Sequence, residues 1–267
     1  MNPTFRRIGA MLLRYLYLHK RSLPRTLEII FWPVMELLVW GFVTVYIRQV
    51  ASPASGLFLF LINAMIFWDI LYRSQQAVSL AIVEDIWAQN ISNVLVSPLR
   101  IPEWLCATFL YGILKVLVIV VVLTLIAVGF YHINWISPLG FQAIPLAANL
   151  LLFGFALGVF TSGLIVRFGH SAEALVWGIP YLIQPFSAIY YPVSVLPPWL
   201  RPIAWALPST HVMEGMRALA QNGSSASAEL AAAFGLNLVY FALASIFFGI
   251  MFHQAKKTGR LARLGMD

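Results

Sequence analysis

Six apolar runs of about 20 residues each leave this sequence little freedom in how it folds. They cover 27–47, 57–79, 104–129, 143–166, 174–193 and 230–252. About 20 apolar residues in a helix cross a hydrocarbon layer of roughly 30 Å. Backbone groups in lipid must be bonded within the protein, so these runs predict helices and not open strands. A barrel would show alternating stretches of about ten residues, and the sequence has no such pattern. Charged residues make up 10% of the chain and mean hydropathy is +0.84, against about 25% charged in a soluble domain. The reading is an all-α membrane protein with six transmembrane helices, one domain over 1–267.

Lys and Arg placement sets the expected orientation. Residues 1–26 carry Arg6, Arg7, Arg14, Lys20, Arg21 and Arg25, and the tail carries Lys256, Lys257, Arg260 and Arg263. With six spans both termini fall on one side, expected to be the cytoplasm in a multi-pass protein of the cell (inner) membrane. Arg100 and Arg167 fall on that side too, leaving Arg48, Arg201 and Arg217 opposite. The net charge of +7 is thereby a topology signal and gives no reason to expect nucleic acid. Basic and aromatic residues over 1–26 predict an interfacial helix on anionic lipid before Pro24 turns the chain inward. The first apolar run is too long for a signal-peptide core and lacks a small-residue cleavage site, so it is expected to be an uncleaved anchor. Cys106 is the only cysteine, so no intrachain disulfide is expected.

Between the second and third runs lies EDIWAQNISNVLVSPLRIPE, residues 84–103. Val83, Ile86, Trp87, Ile91, Val94 and Leu95 recur at helical spacing, with Asp85, Gln89, Ser92 and Asn93 on another face. This predicts an amphipathic helix over 82–96, stopped by Pro98 and Pro102. Glu84 and Asp85 at its start favour the helix dipole. A lipid-surface helix is the alternative, but such helices carry Lys and Arg on the polar face, and 84–99 has neither. A second long connection, 192–229, has five prolines in its first 17 residues. Proline removes a backbone donor, which argues against a continuous spanning helix. Short helices dipping into the outer leaflet, with Trp199 and Trp205 at headgroup level, compete with an ordinary external loop.

A basic interfacial helix, six spans, SPLRIPEW after the amphipathic stretch, and YPVSVLPPWLRPIAWALPSTHVMEGMR before the last span together resemble the permease subunit of an ABC-2 type (type V) ABC exporter. The resemblance covers essentially the whole chain. It implies outward movement of an amphiphile (drug, lipid or glycan) driven by two copies of a separate ABC ATPase, which bind ATP and Mg. It also implies a second permease copy, expected as a homodimer. The 82–96 helix then becomes a coupling helix docking on the ATPase through Glu84, Asp85, Ile86, Trp87, Gln89 and Ile91. Residues 194–217 become an external re-entrant gate including Trp199, Trp205, His211 and Glu214. Asn63, Trp68, Tyr72, Gln184 and Phe186 become candidate residues of the substrate path. A P-loop needs Gly-x-x-x-x-Gly-Lys-Ser/Thr. Among the four lysines only Lys257 precedes a Ser or Thr, and Lys256 stands where that motif has Gly.

Glu36, Asp69, Arg73 and Lys115 lie inside apolar runs and each needs a partner there. Helix rise puts Glu36 at ~13 Å, Arg73 at ~10 Å, and Asp69 and Lys115 at ~17 Å from the basic side. The expected network pairs Glu36 with Arg73, and Asp69 with Lys115 or Arg73, serving either structure or the substrate path. Gly154 and Gly158 are four apart, which allows close helix approach, within the chain or to a second copy. His211 and Glu214, three apart, are a candidate local ion pair. No spacing suggests a metal ligand set, and no catalytic or cofactor-binding residues are expected. The alternative function is a secondary transporter or channel working without an ATPase. That class predicts inverted internal repeats with broken helices in both halves, whereas the prolines here concentrate in 180–208. A membrane-embedded enzyme would need a nucleophile or metal constellation that the sequence lacks.

Overall fold

The computed structural model describes residues 2–50, 57–132, 134, 136–222 and 225–259, in helices and connecting turns with no strand among them. The α-helices are α1 Pro3–Lys20, α2 Leu23–Val50, α3 Leu57–Trp87, α4 Ile91–Val96, α5 Ile101–Tyr131, α6 Ala143–Phe168, α7 Leu175–Ile183, α8 Arg201–Trp205, α9 Pro208–Asn222 and α10 Ser227–Lys257. Among the described residues, four stretches are long and apolar enough to cross a membrane: Ile29–Tyr46, Ile101–Tyr131, Gly140–Ala172 and Ser227–Lys257. The second and fifth predicted runs differ for separate reasons. α3 has spanning length at 31 residues, but the side chains of its first three residues lie outside the described residues, and it is not among the four. α7 covers only nine residues of the predicted 174–193 run. A 3₁₀ turn with Pro185 follows it over Gln184–Phe186, and Pro185 has no N–H with which to continue a helix.

The bundle is built around α3, which packs on α2, α5, α6 and α7. From Phe60 to Ile86 only Tyr72, Leu80 and Glu84 escape full burial. A helix buried on every side belongs at the centre of a bundle. Its tightest neighbour is α6. A Cβ on Gly154 would stand 1.8 Å from Ser74 Oγ and 2.5 Å from the Leu71 carbonyl oxygen. One on Gly158 would stand 2.8 Å from both the Gln75 carbonyl oxygen and Val78 Cβ. The two glycines therefore serve packing within the chain, the first of the two uses the spacing allowed. Polar bonds follow the same seam, with Gln75 Nε2 donating to Thr161 Oγ1 at 3.2 Å. On the other side of α6, Asn237 Nδ2 of α10 donates to Asn149 Oδ1 at 3.0 Å.

Two apolar clusters divide the interior. One surrounds Phe67, Leu71, Leu123, Leu150, Phe153 and Met213. The other joins Met11 and Tyr15 of α1 to Ile82, Ile86, Ile91 and Trp104. The second cluster overturns part of the amphipathic reading. The predicted helix 82–96 is two helices, separated at Ala88–Asn90. Gln89 adopts φ 51°, its N–H bonds the Ile86 carbonyl at 2.9 Å, and the Asn90 N–H bonds the Asp85 carbonyl at 2.8 Å. This pair of bonds around a left-handed residue is a Schellman stop, made with Gln instead of the usual Gly. Gln89→Gly is accordingly expected to stabilise the protein by about 1 kcal/mol, read as a rise in thermal midpoint in detergent.

Candidate functional site

Helix α1 starts at Asn2, whose side chain caps the Thr4 N–H at 3.2 Å, with Pro3 in the first turn where its missing donor costs nothing. It then lies along α5 and touches α2. Arg7 Nη2 meets Glu103 Oε1 at 2.7 Å, and Trp104 Nε1 donates to Tyr15 Oη at 2.7 Å. The Tyr111 hydroxyl is 2.8 Å from His19 Nδ1. Arg14 forms an ion pair with Asp85 at the end of α3, and Asn90 Nδ2 donates to the same carboxylate at 3.3 Å. Glu103 also accepts the Arg100 N–H at 2.9 Å, closing the first turn of α5. The 88–100 connection is thus clamped at both roots by one helix. Burial works against the Arg14 charge, but the Asp85 carboxylate outweighs it and holds the guanidinium pKa above its ordinary value. Burial, reinforced by Asp85, pushes the Tyr15 phenol up, so it stays neutral as the acceptor for Trp104.

This arrangement redistributes the expected docking residues. Asp85, Ile86 and Ile91 are 1–2% exposed and belong to the chain's own interior. Glu84 is half-buried, and Trp87, Gln89 and Asn93 are exposed. Val96 is 88% exposed. The side chains of Ser92 and Leu95, and the topology-setting Arg25, Arg48, Arg260 and Arg263, lie outside the described residues.

Within the bundle, Arg73 Nε bonds Asp69 Oδ1 at 3.2 Å and Arg73 Nη1 bonds Gln76 Oε1 at 3.1 Å. The Arg73 alternative for Asp69 is therefore the one realised. The i, i+4 spacing on one helix face makes it local, whereas Lys115 sits 5.4 Å from the Tyr111 ring centroid on α5. Glu36 faces a cavity of about 570 Å³ between α2, α3 and α7 that Arg73 also lines, and the two are not hydrogen-bonded to each other. Tyr72 lines this cavity, as the substrate-path reading expects. Asn63 and Trp68 do not; they are closed inside the chain at 0% and 3% exposure. Neither amide atom of Asn63 has a partner among the described residues. Gln184 and Phe186 are half-buried beyond the end of α7. Trp32, Gln76, Trp177 and Tyr181 also line the cavity, with Met35 and Val39, and escaped the sequence reading. Their signal was three i, i+4 pairs, Trp32/Glu36, Tyr72/Gln76 and Trp177/Tyr181, each stacked on one helix face.

At the opposite end, the 187–217 segment folds into a cap around Ala188, Val193, Leu196 and Ala204. The expected His211–Glu214 pair is not formed. His211 Nδ1 instead contacts the Glu229 carboxylate of α10, and Nε2 contacts the Trp205 carbonyl at 3.0 Å. Glu214 pairs with Arg217 at 2.6 Å and accepts the Val193 N–H at 2.8 Å. Two residues lie three positions from Glu214, and the permanently charged one takes it. Arg217 also bonds the Ala188 carbonyl at 3.0 Å and sits 4.5 Å over the Phe60 ring of α3. Trp199 is 72% exposed and Trp205 39%. Arg217→Met should leave Glu214 with an unpaired charge and lower stability by about 2–3 kcal/mol; the thermal midpoint checks it, with Arg201→Met as the exposed comparison.

Long apolar helices around a buried, partly charged one make this a multi-pass membrane protein. It belongs to the ABC-2 type transporter family, whose sequence model matches residues 20–220, three quarters of the chain. The match runs from the end of α1 to α9. Members are membrane transport subunits, not enzymes themselves, and generally pair with an ABC ATPase. No curated protein matches the chain.

Proposed function

We propose that this chain is a six-span permease of an ABC exporter. It moves an amphiphile outward, using ATP and Mg held by two copies of a separate ATPase bound to a permease homodimer. In this reading both termini and the 88–100 connection face the cytoplasm, α3 and α7 supply the second and fifth spans, and 194–217 forms the external gate. The observation that carries it is the clamped connection. Its roots are fixed by Arg14–Asp85 and Arg7–Glu103, while Trp87 and Val96 stand out at 50% and 88% exposure. A projecting apolar residue on a fixed base is what a docking contact needs, because little ordering entropy is lost on binding. The docking residues in this reading are Glu84, Trp87, Gln89 and Val96; Asp85, Ile86 and Ile91 hold the base from inside.

Co-purification tests it. The permease co-expressed with a candidate ABC ATPase of the same organism should retain that ATPase through size exclusion. Trp87→Ala combined with Val96→Asp should reduce retention at least tenfold with the thermal midpoint unchanged. Full retention in that variant would sink the docking assignment. Substrate movement by the purified permease without any ATPase would favour a secondary transporter.

A further inference from the structure

The cavity between α2, α3 and α7 carries a charge imbalance. Its two charged lining residues are Glu36 and Arg73. Arg73 is already matched by Asp69 at 3.2 Å and by Gln76 at 3.1 Å. Glu36 has no hydrogen bond or ion pair among the described residues. With both carboxylates ionised, the group Glu36, Asp69, Arg73 holds one formal negative charge in excess, and Glu36 is the member that faces the open space without a hydrogen bond. Around it stand four aromatic side chains, Trp32, Tyr72, Trp177 and Tyr181. Tyr72 and Tyr181 form a corner, with ring centroids 5.7 Å apart and planes tilted by 57°.

We infer that this cavity is a binding site for a monovalent organic cation with apolar substituents. Ring faces attract cations through their quadrupole, most strongly where water is excluded. A carboxylate in an apolar setting is neutralised by a proton or by a counter-charge, and a bound organic cation supplies the second by displacing the first. The volume of about 570 Å³ lies within the range of small-molecule sites. A neutral sugar would stack on the same rings but leave Glu36 unmatched. An anion would meet Glu36 with Arg73 already occupied. The cavity thus selects for positive charge by what it leaves unpaired. That the cation is exported cargo rests on the transport reading above; that it binds here does not.

Tetraphenylphosphonium and tetraphenylborate have nearly the same size and shape and opposite charge, so the pair isolates the electrostatic claim. Equilibrium binding of each radiolabelled ion to the purified permease in nanodiscs, with empty nanodiscs subtracted, is the measurement. The cation should bind saturably and at least tenfold more tightly than the anion. Glu36→Gln should abolish that preference, and Trp177→Leu should weaken cation binding several-fold. Equal binding of both ions by the wild type overturns the proposal and needs no variant to fold. An unchanged preference in a Glu36→Gln protein with wild-type thermal midpoint overturns it as well. If the cation binds through Glu36 but does not stimulate the ATPase of the assembled complex, the site stands and its role as cargo site fails. If the ATPase docks but no cation binds, the site proposal alone fails.

Discussion

Gly154→Leu is expected to leave no folded protein in the membrane, and Gly154→Ala to lower the thermal midpoint of the permease by several degrees. The first added carbon would meet the Ser74 hydroxyl at 1.8 Å and the Leu71 carbonyl oxygen at 2.5 Å. The hydroxyl belongs to a side chain bonded to that same carbonyl at 2.8 Å, so neither atom yields without the other. Overpacking of this kind costs about 1–3 kcal/mol for one carbon and more for a branched side chain. Adding Ser74→Ala to Gly154→Ala should recover only part of the loss, because the backbone oxygen remains. Gly249→Ala is the control. Nothing lies within 4 Å of its added carbon, and helix propensity predicts a gain of up to about 1 kcal/mol. The membrane yield of folded protein reads the Leu variant and thermal unfolding in detergent the other three; a neutral Gly154→Ala would mean that α3 and α6 are not in direct backbone contact.

Asp85→Ala should be the most damaging change in the connection between α3 and α5. The carboxylate is 1% exposed and is shared by Arg14 and Asn90. Removing one member of a buried pair costs about 3–5 kcal/mol. The Arg14 side chain is 29% exposed and reaches some water, so about 3 kcal/mol is expected. The same change should free α1 to leave α5, which limited proteolysis within residues 3–20 would reveal. The exchange Arg14→Asp with Asp85→Arg should restore part of the stability. An exchange no better than either single change would mean that the ion pair does not hold α1 in place.

The long helices were legible because apolar length alone decides whether a segment can cross lipid. The Asp69–Arg73 pair was legible because i, i+4 spacing is local. What the sequence hid was nonlocal or carried by an unusual residue. The stop at Ala88–Asn90 is made by Gln89, which carries no turn signal, so the apolar spacing read through it as one helix. That spacing put Ile86 and Ile91 on an apolar face and assigned them to a docking partner; they are covered instead by Met11, Tyr15 and Trp104 of the same chain. Arg7 and Glu103 are 96 positions apart, and nothing in either segment names the other. The α2–α3–α7 cavity needed three helices in register before its aromatic pairs could be seen as one surface.

Mechanically, α3 is a stiff rod. Residues 57–87 contain neither glycine nor proline, whereas α2, α6 and α7 contain both. Sharp helix kinks need such residues, a π-bulge or an inserted group, so α3 offers no obvious place to bend. Its two ends are held by different partners: Asp85 by Arg14 of α1, and Phe60 by Arg217 of the distal cap. About 38 Å of helix separates those attachment points. One unbent helix therefore links the clamped connection to the cap, and any axial movement at Asp85 would have to carry the α6 seam at Gly154 and Gly158 with it. A point halfway along it, at Tyr72 and Arg73, borders the α2–α3–α7 cavity, so a single unbroken helix joins the connection, the cavity wall and the cap.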